Sequence, residues 1–334
     1  MKNILILHTG GTITMQLYVS KGEASIGRPP FNLQFFEEQV PGLQEIARID
    51  SRTLFLEDSS NIRPRHWERI ASAVATHYDN YDGFVILHGT DTMAYTASAL
   101  SFCFQNLQKP IVFTGSQVPL SNRRTDARRN LINAVELATL NIPEVCICFN
   151  DKVYRGNRAT KISIGDFDAF RSPNYPVLGE FGMRVTIDHT LEAPSGHLQV
   201  STRFDPAIQM IKLFPGMDGY RSFPESPERC RAVLIEAYGS GNIPFSKDYN
   251  IMRAIRNYMD GGGIVVITSQ SLYDDVDLTK YEGGRLALDY GAISGGDMTS
   301  EACVTKMMYL LGHHKDLQTI KDLFCRNLAG ERSH

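Results

Sequence analysis

The sequence predicts an α/β protein, with a doubly wound, mainly parallel sheet in an N-terminal domain and a second, smaller α/β domain. From residue 1 to about 150, short apolar β-rich runs alternate with helical patterns, which is typical of βαβ units. Between about 151 and 210 the periodicity fades into a stretch rich in Gly, Pro, Asp and Arg, and alternation resumes from residue 231. We therefore expect an N-terminal catalytic domain over 1–190, a linker over 191–212 and the smaller domain over 213–334.

Four strands and their crossover helices are readable in the first half of the chain. The strand runs are ILIL at 4–7, GFVIL at 83–87, IVFT at 111–114 and EVCICF at 144–149. Apolar residues at three- and four-residue spacing predict helices after Pro64, around residues 94–104 and around residues 131–138.

The same alternation organises the second half. AVLIEAY at 232–238 and GGGIVVITS at 261–269 predict strands, and a helix is expected between them at about 251–259. Two further helices are expected over roughly 299–327. These elements predict the smaller domain, whereas the irregular stretch after residue 150 predicts long loops that carry active-site residues.

Composition narrows the class of partner. The 334 residues carry a net charge of −3 with both signs scattered along the chain, which favours a small neutral or zwitterionic ligand and excludes nucleic-acid and membrane partners. The apolar runs are strand-sized and no signal-peptide pattern precedes the first strand, so we expect a cytoplasmic protein. The six cysteines are dispersed, and Cys146 and Cys148 have no nearby histidine pair, so free thiols and no metal site are expected.

The segments beyond the strands are the unusual ones. TGGTI at 9–13, HGTDTM at 88–93 and TGSQ at 114–117 each follow a predicted strand and place threonine or serine beside glycine. In open parallel sheets, ligands bind beyond the carboxyl ends of the strands, so these segments are expected to meet at one site. Neither GxGxxG nor GxxxxGK[ST] occurs at the glycine turn, which argues against nucleotide binding.

Residue types alone leave two interpretations of these segments open. Gly10 and Gly11 provide a sharp turn after the first strand, or they let a substrate approach the main chain beside a nucleophilic threonine. Thr90 to Thr92 match a helix N-cap, whereas Thr90 and Asp91 also match a hydroxyl–carboxylate pair. Lys161 is a candidate for proton transfer, and His88 is expected to be a packed strand-end residue rather than a base.

The chain resembles the L-asparaginase family, and within it the cytoplasmic bacterial type I enzymes. The resemblance is carried by TGGTI, by HGTDTMAYTASALSF at 88–102, by TGSQ and by YRGNRATK at 154–161. It continues through AYGSGNIP at 237–244 and GGDMTSEA at 295–302, and so runs from end to end.

The resemblance implies hydrolysis of L-asparagine to L-aspartate and ammonia, without metal or organic cofactor. It implies that Thr12 is the nucleophile, next to Gly11 where the backbone comes close to the scissile carbon. It further implies a supporting triad of Thr90, Asp91 and Lys161, in which Asp91 also accepts the α-ammonium group of the substrate.

Further binding residues are implied by the same resemblance. In the DSS segment at 58–60, Ser59 is the better candidate for the substrate α-carboxylate, with Asp58 and Ser60 as neighbours. The main chain at Ser116 is expected near the carboxamide. Asn242 matches an asparagine that reaches a neighbouring subunit's site in relatives, which implies a homodimer or homotetramer.

Two departures from the family pattern are visible. The nearest candidate for the lid tyrosine is Tyr18, whose spacing from TGGTI is short. Where some cytoplasmic relatives show an arginine and a cysteine at a second, regulatory asparagine site, this chain has Glu236 and Ser271, although Thr160 is retained.

Three other functions compete with an asparaginase. A glutaminase–asparaginase differs by one substrate methylene, which a sequence does not resolve. A non-catalytic asparagine sensor needs Ser59 and Asp91 but has no need of Thr12, Thr90 and Lys161 together. A transamidation subunit that generates glutaminyl-tRNA shares these motifs, but its added RNA-facing segment and basic surface are not visible here.

Overall fold

The chain folds into two compact units, residues 1–202 and residues 203–334. The structure is a computed structural model that describes residues 1–20, 23–27, 38–187, 191, 193–246 and 250–333, with the side chains of 16–20 and 23–27 excluded. The predicted fold class is confirmed, because both units carry a mainly or wholly parallel sheet with helices between its strands.

The first unit contains one eight-stranded sheet and three smaller strand pairs. Its strands are β1 (Asn3–Gly10), β2 (Gln16–Ser20), β3 (Glu23–Gly27), β4 (Arg48–Glu57), β5 (Gly83–Leu87), β6 (Phe104–Gln105), β7 (Ile111–Thr114), β8 (Val145–Phe149), β9 (Lys152–Arg155), β10 (Thr160–Lys161), β11 (Phe170–Arg171), β12 (Gly179–Phe181), β13 (Val185–Ile187) and β14 (Gln199–Val200). Its described α-helices are α1 (Leu43–Ile46), α2 (Pro64–His77), α3 (Met93–Cys103) and α4 (Ala127–Ala138).

The large sheet has the order β13-β12-β9-β8-β7-β5-β1-β4. The five neighbouring strands β8, β7, β5, β1 and β4 run parallel. Strands β9, β12 and β13 extend the sheet beyond β8, each antiparallel to its neighbour. From β1 the chain first builds β4 on one side and then β5, β7 and β8 on the other. This reversal makes the β1–β5 crevice the topological switch point, where ligands bind in such folds.

The predicted strands of the first unit are confirmed, but four strands of the sheet, β4, β9, β12 and β13, are missing from the prediction. Strand β4 has the sequence RIDSRTLFLE and lies at the sheet edge, where most of its residues keep contact with solvent. Strands β5, β7 and β8 are buried along their whole length and are therefore apolar runs. An edge strand lacks this signal because only one of its sides is covered by a neighbouring strand.

The second unit contains a four-stranded parallel sheet in the order β15-β16-β17-β18. Its strands are β15 (Ile208–Lys212), β16 (Ala232–Ala237), β17 (Ile264–Ser269) and β18 (Ile293–Ser294), and its described helices are α5 (Gly219–Ser222), α6 (Ile251–Asp260), α7 (Glu282–Asp289), α8 (Ser300–His313) and α9 (Leu317–Phe324). Strand β15 lies inside the range expected to be a linker, and α7 and β18 were not expected. The predicted domain bounds themselves stay a prediction.

Candidate active site

The two glycines after β1 are required by close backbone contacts. Gly10 and Gly11 have φ of 120° and 90°, in the region that favours glycine. A Cβ on Gly10 would lie 2.0 Å from the carbonyl oxygen of Glu57, and one on Gly11 would lie 2.5 Å from the amide nitrogen of Gly89. The end of β1 therefore passes directly against the ends of β4 and β5, and any side chain at either position would clash.

Ser59 is packed against the same glycine. A Cβ on Gly89 would lie 2.6 Å from Ser59 Oγ, and the Thr92 hydroxyl donates to the Ser59 carbonyl at 2.7 Å. Asp58 accepts from the amide and the hydroxyl of Ser60 at 2.9 and 2.8 Å, which stabilises the short turn that carries Ser59. Hence DSS, TGGT and HGTD form one continuous surface centred on Gly89.

Thr12 begins a single 3₁₀ turn that ends at Thr14. Ile13 and Thr14 are buried, whereas Thr12 is partly exposed, so of the three residues Thr12 is the one accessible to a ligand. The turn is held by His8, whose Nε2 lies 3.0 Å from Thr14 Oγ1, and by the amide of Leu120, which donates to the Ile13 carbonyl at 3.2 Å. Sequence reasoning missed His8, since nothing local links it to a residue six positions later.

Lys161 joins the two residues that follow Gly89. Its Nζ donates to Thr90 Oγ1 at 2.7 Å and to Asp91 Oδ1 at 2.6 Å. The Lys161 side chain is 15% exposed and that of Asp91 is 64% exposed, so the lysine is enclosed while the carboxylate still faces solvent. The backbones of Gly11 and Gly89 are in contact. Thr12 follows the first of these glycines and Thr90 follows the second. The structure thus brings the predicted Thr90, Asp91 and Lys161 together, with the Thr12 turn beside them.

Lys161 is placed by a short hairpin rather than by the main sheet. It pairs with Phe170 in the β10–β11 ladder. The Phe170 carbonyl accepts from the Tyr154 hydroxyl at 3.0 Å, and its ring packs against Phe149 at a centroid distance of 5.1 Å. The loop region predicted to carry active-site residues is therefore anchored to β8 and β9 at the point where it presents the ammonium group.

The N-cap interpretation of Thr90–Thr92 is confirmed for position but not for side-chain capping. Helix α3 begins at Met93 with Thr92 as its N-cap residue, yet no side chain accepts from its first amides. The Thr92 hydroxyl donates to Ser59 instead, and Thr90 contacts Lys161. These side chains are therefore committed to tertiary contacts and not to the helix end.

The TGSQ segment supplies one buried and one partly exposed polar side chain at the end of β7. Ser116 is 1% exposed, and its hydroxyl has no hydrogen-bond partner in the described part of the chain. The next residue, Gln117, accepts from Thr90 Oγ1 through its Oε1 at 3.2 Å. The Asp126 carboxylate accepts from the main-chain amides of Gln117 and Val118 at 3.0 and 3.1 Å and so fixes this segment. Gln117 and Asp126 were not singled out, although Gln117 lies in a quoted motif.

His88 is a packed residue, as predicted. It is buried, its Nε2 lies 3.0 Å from Thr96 Oγ1 and its Nδ1 lies 2.7 Å from the Gly89 carbonyl. Burial lowers the pKa of His88 to about 4, which keeps the ring neutral at neutral pH.

Two predicted site residues are not placed by this geometry. Tyr18 lies in β2, and its side chain is outside the described residues. Asn242 belongs to the second unit, where its amide donates to the Tyr238 carbonyl at 2.8 Å. Their roles stay predictions.

The described residues give two further results, one on metal binding and one on membrane-spanning helices. Within them, no group of three or more His, Cys, Asp or Glu side chains is arranged to hold a metal ion, and burial raises the pKa of the Cys146 and Cys148 thiols. None of the helices in the same ranges is long and apolar enough to cross a membrane.

Comparison with known proteins identifies the chain as a hydrolase that acts on amide bonds. It belongs to the asparaginase family: the model described as asparaginase, N-terminal, matches residues 3–193, and that described as glutaminase/asparaginase C-terminal domain matches residues 207–324. The resemblance predicted from the motifs is confirmed.

Individual relatives are similar along the whole chain. L-asparaginase 1 of Escherichia coli K12 is 40% identical over 337 residues, which cover 99% of this chain and 98% of that protein. The solved structure of L-asparaginase I from Vibrio cholerae has a TM-score of 0.88 and 36% identity, and the match covers 100% of this chain and 99% of that one. The thermostable L-asparaginase from Thermococcus kodakarensis gives the same TM-score and identity, with 99% of both chains covered.

Proposed function

We propose that the chain is an L-asparagine amidohydrolase in which Thr12 is the nucleophile and Thr90, Asp91 and Lys161 support it. The observation that carries this proposal is the contact of Lys161 Nζ with both Thr90 Oγ1 and Asp91 Oδ1, beside the glycine contact that leads into Thr12. The family membership supplies the reaction class, and the full-length relatives named L-asparaginase favour asparagine as the substrate.

The arrangement suits a zwitterionic amide. Asp91 keeps most of its carboxylate exposed while one oxygen contacts Lys161, so the other oxygen is available to the α-ammonium group of a substrate. Ser59, which packs against Gly89, is the proposed partner of the α-carboxylate. With both ends of the amino-acid moiety held around Gly89, the side-chain amide extends toward Thr12.

The chemistry then proceeds in two steps. The Thr12 oxygen forms a bond to the amide carbon, the C–N bond breaks, and the proton from Thr12 leaves with ammonia. Water next attacks the resulting ester, which releases aspartate and returns a proton to Thr12. Thr90, held by the Lys161 ammonium, accepts a hydrogen bond from the attacking hydroxyl and orients it, while the proton itself passes to the leaving nitrogen. Donors around the segment at Ser116 stabilise the developing oxyanion.

Ammonia release from asparagine by wild type and by Thr12→Val tests this proposal. Valine keeps the shape of threonine without the hydroxyl, so we expect turnover to fall by about 10³-fold or more while the thermal unfolding midpoint stays close to that of wild type. Thr76→Val, which removes an exposed helical hydroxyl bonded to the Ser72 carbonyl, is the matched control and should retain full activity. A fully active Thr12→Val enzyme would remove Thr12 from the mechanism.

A glutaminase–asparaginase of broader specificity is the second candidate, because the C-terminal family model covers both activities. One methylene changes discrimination by only about 1–3 kcal/mol, so the two amides must be compared directly. Comparable kcat/KM values for asparagine and glutamine would favour this candidate over a dedicated asparaginase. A homodimer or homotetramer completed by Asn242, and a cytoplasmic location, remain predictions from the sequence.

A further inference from the structure

Gln117 contacts Thr90 of the supporting triad and the hairpin that carries Lys161. Its Oε1 lies 3.2 Å from Thr90 Oγ1, and its Nε2 lies 3.3 Å from the Ser163 carbonyl and 3.2 Å from the Asp166 carbonyl. The two carbonyls belong to the turn of the hairpin that carries Lys161. One side chain therefore spans from the HGTD segment to the lysine hairpin.

The orientation of the Gln117 amide follows from its neighbours. Backbone carbonyls only accept hydrogen bonds, so the atom that faces Ser163 and Asp166 must be the NH₂ group. The oxygen of Gln117 then faces Thr90, and because that oxygen is an acceptor, the Thr90 hydroxyl must be the donor.

This assignment fixes the direction in which the hydroxyl proton of Thr90 points. The Lys161 ammonium has only protons to offer, so Thr90 Oγ1 accepts from Lys161 with one lone pair while its own proton points to Gln117. Its second lone pair is left free. In the proposed function, that lone pair accepts a hydrogen bond from the Thr12 hydroxyl, whose proton passes to the leaving nitrogen.

We propose that Gln117 is a positioning residue that directs the Thr90 proton away from the nucleophile and fastens the hairpin of Lys161. Without it, the Thr90 hydroxyl is free to rotate toward the Thr12 oxygen and donate where it needs to accept. The inference rests on the proposed function for its chemical consequence, whereas the fastening of the hairpin stands on geometry alone. The Asp126 carboxylate accepts from the main-chain amide of Gln117, which fixes the backbone from which this side chain extends.

The kinetic test is Gln117→Met, which keeps the length of the side chain and removes its hydrogen bonds. We expect kcat for asparagine to fall about 10- to 100-fold with KM changed less than about threefold, since a misdirected proton affects the chemical step more than binding. Gln117→Glu keeps an oxygen for Thr90, so its kcat should lie closer to that of wild type. Equal losses of kcat in the two variants, or no loss in Gln117→Met, would overturn the proton-directing role.

The structural test is independent of turnover. Hydrogen exchange of the peptide spanning 162–169 should be about tenfold faster in Gln117→Met and in Gln117→Glu, because neither side chain donates to both carbonyls. Unchanged exchange in both variants would overturn the fastening role, whatever the activity of the enzyme. Failure of the proposed function is a separate result, shown by a wild-type protein that releases no ammonia.

Gln108 provides a matched control. Its Nε2 also donates to two backbone carbonyls, those of Pro194 at 3.4 Å and Gly196 at 3.0 Å. Gln108→Met should therefore leave both kcat and exchange over 162–169 unchanged. Equal kinetic losses in Gln108→Met and Gln117→Met would show a general effect of losing such a clamp, and would overturn the proposal.

Discussion

Ser116→Ala should stabilise the unliganded protein. The Ser116 hydroxyl is buried and has no partner in the described ranges, and a buried hydroxyl left without a hydrogen bond costs about 1–3 kcal/mol. Alanine removes this hydroxyl and leaves a void of only one oxygen atom. We expect the free energy of unfolding to rise by about 1 kcal/mol, which in a unit of this size raises the melting temperature by about 2–4 °C.

The same substitution should weaken ligand binding. In the proposed site the Ser116 segment lies beside the substrate carboxamide, whose polar atoms give the hydroxyl a partner. Loss of one such neutral hydrogen bond costs about 1 kcal/mol, or about fivefold in KM for asparagine. The assay is thermal unfolding with and without saturating aspartate, together with KM. Higher stability without ligand and a smaller ligand-induced shift are the expected pair of results.

Thr114→Val is the control for this experiment. Thr114 lies two residues earlier and is also buried, but its hydroxyl donates to the Cys148 carbonyl at 2.8 Å. Removing a bonded hydroxyl should lower the unfolding free energy by about 1 kcal/mol. If Ser116→Ala is destabilised as much as Thr114→Val, the Ser116 hydroxyl is bonded in the free protein and the reasoning fails.

Two further predictions concern buried ionisable side chains. The pKa of His88 in the fold, about 4, lies below the 6.5 of the unfolded chain, so its contribution to stability is complete above pH 6.5 and is lost as pH falls toward 4, by about 3 kcal/mol. Urea unfolding at pH 7 and 4.5 checks this, and His88→Gln should show a shallower pH dependence. Lys306 is fully buried, pairs with Glu331 and donates to the Phe324 carbonyl, so Lys306→Met should cost about 3–5 kcal/mol in urea unfolding, with Lys306→Met/Glu331→Leu recovering part of the loss.

The strands were predictable where consecutive residues are all buried. Strands β5, β7 and β8 are covered by a strand on each edge and by packing on both faces, so nearly every residue is apolar and the run is visible. Strand β4 is half-exposed and polar, and β15 has one buried residue among partly or fully exposed ones. Such strands are defined by their partner, which local sequence does not contain.

From the residue pattern alone the candidate site was predictable only to the level of strand ends, and the family resemblance added Lys161. Parallel strands present their carboxyl ends at one edge, which was enough to group TGGT, HGTD and TGSQ. The contacts of Gln117 with residues 27 positions before it and 46 positions after it depend on where the β10–β11 hairpin folds back. No periodicity or spacing encodes that return, so neither Gln117 nor the link between His8 and Thr14 could be read from the chain.

The glycine pair after β1 shows how turn and chemistry are related. Sequence left open whether Gly10 and Gly11 serve the backbone or a substrate. The geometry makes these one requirement, because the positive φ and the missing Cβ atoms are what allow residue 10 to pass Glu57 and residue 11 to lie against Gly89. Any larger residue at position 11 would separate the Thr12 turn from the segment of Thr90 and Asp91. In the proposed function Thr12 needs an activating neighbour, and the steric contact that forces the turn also keeps the Thr12 turn beside the segment of Thr90.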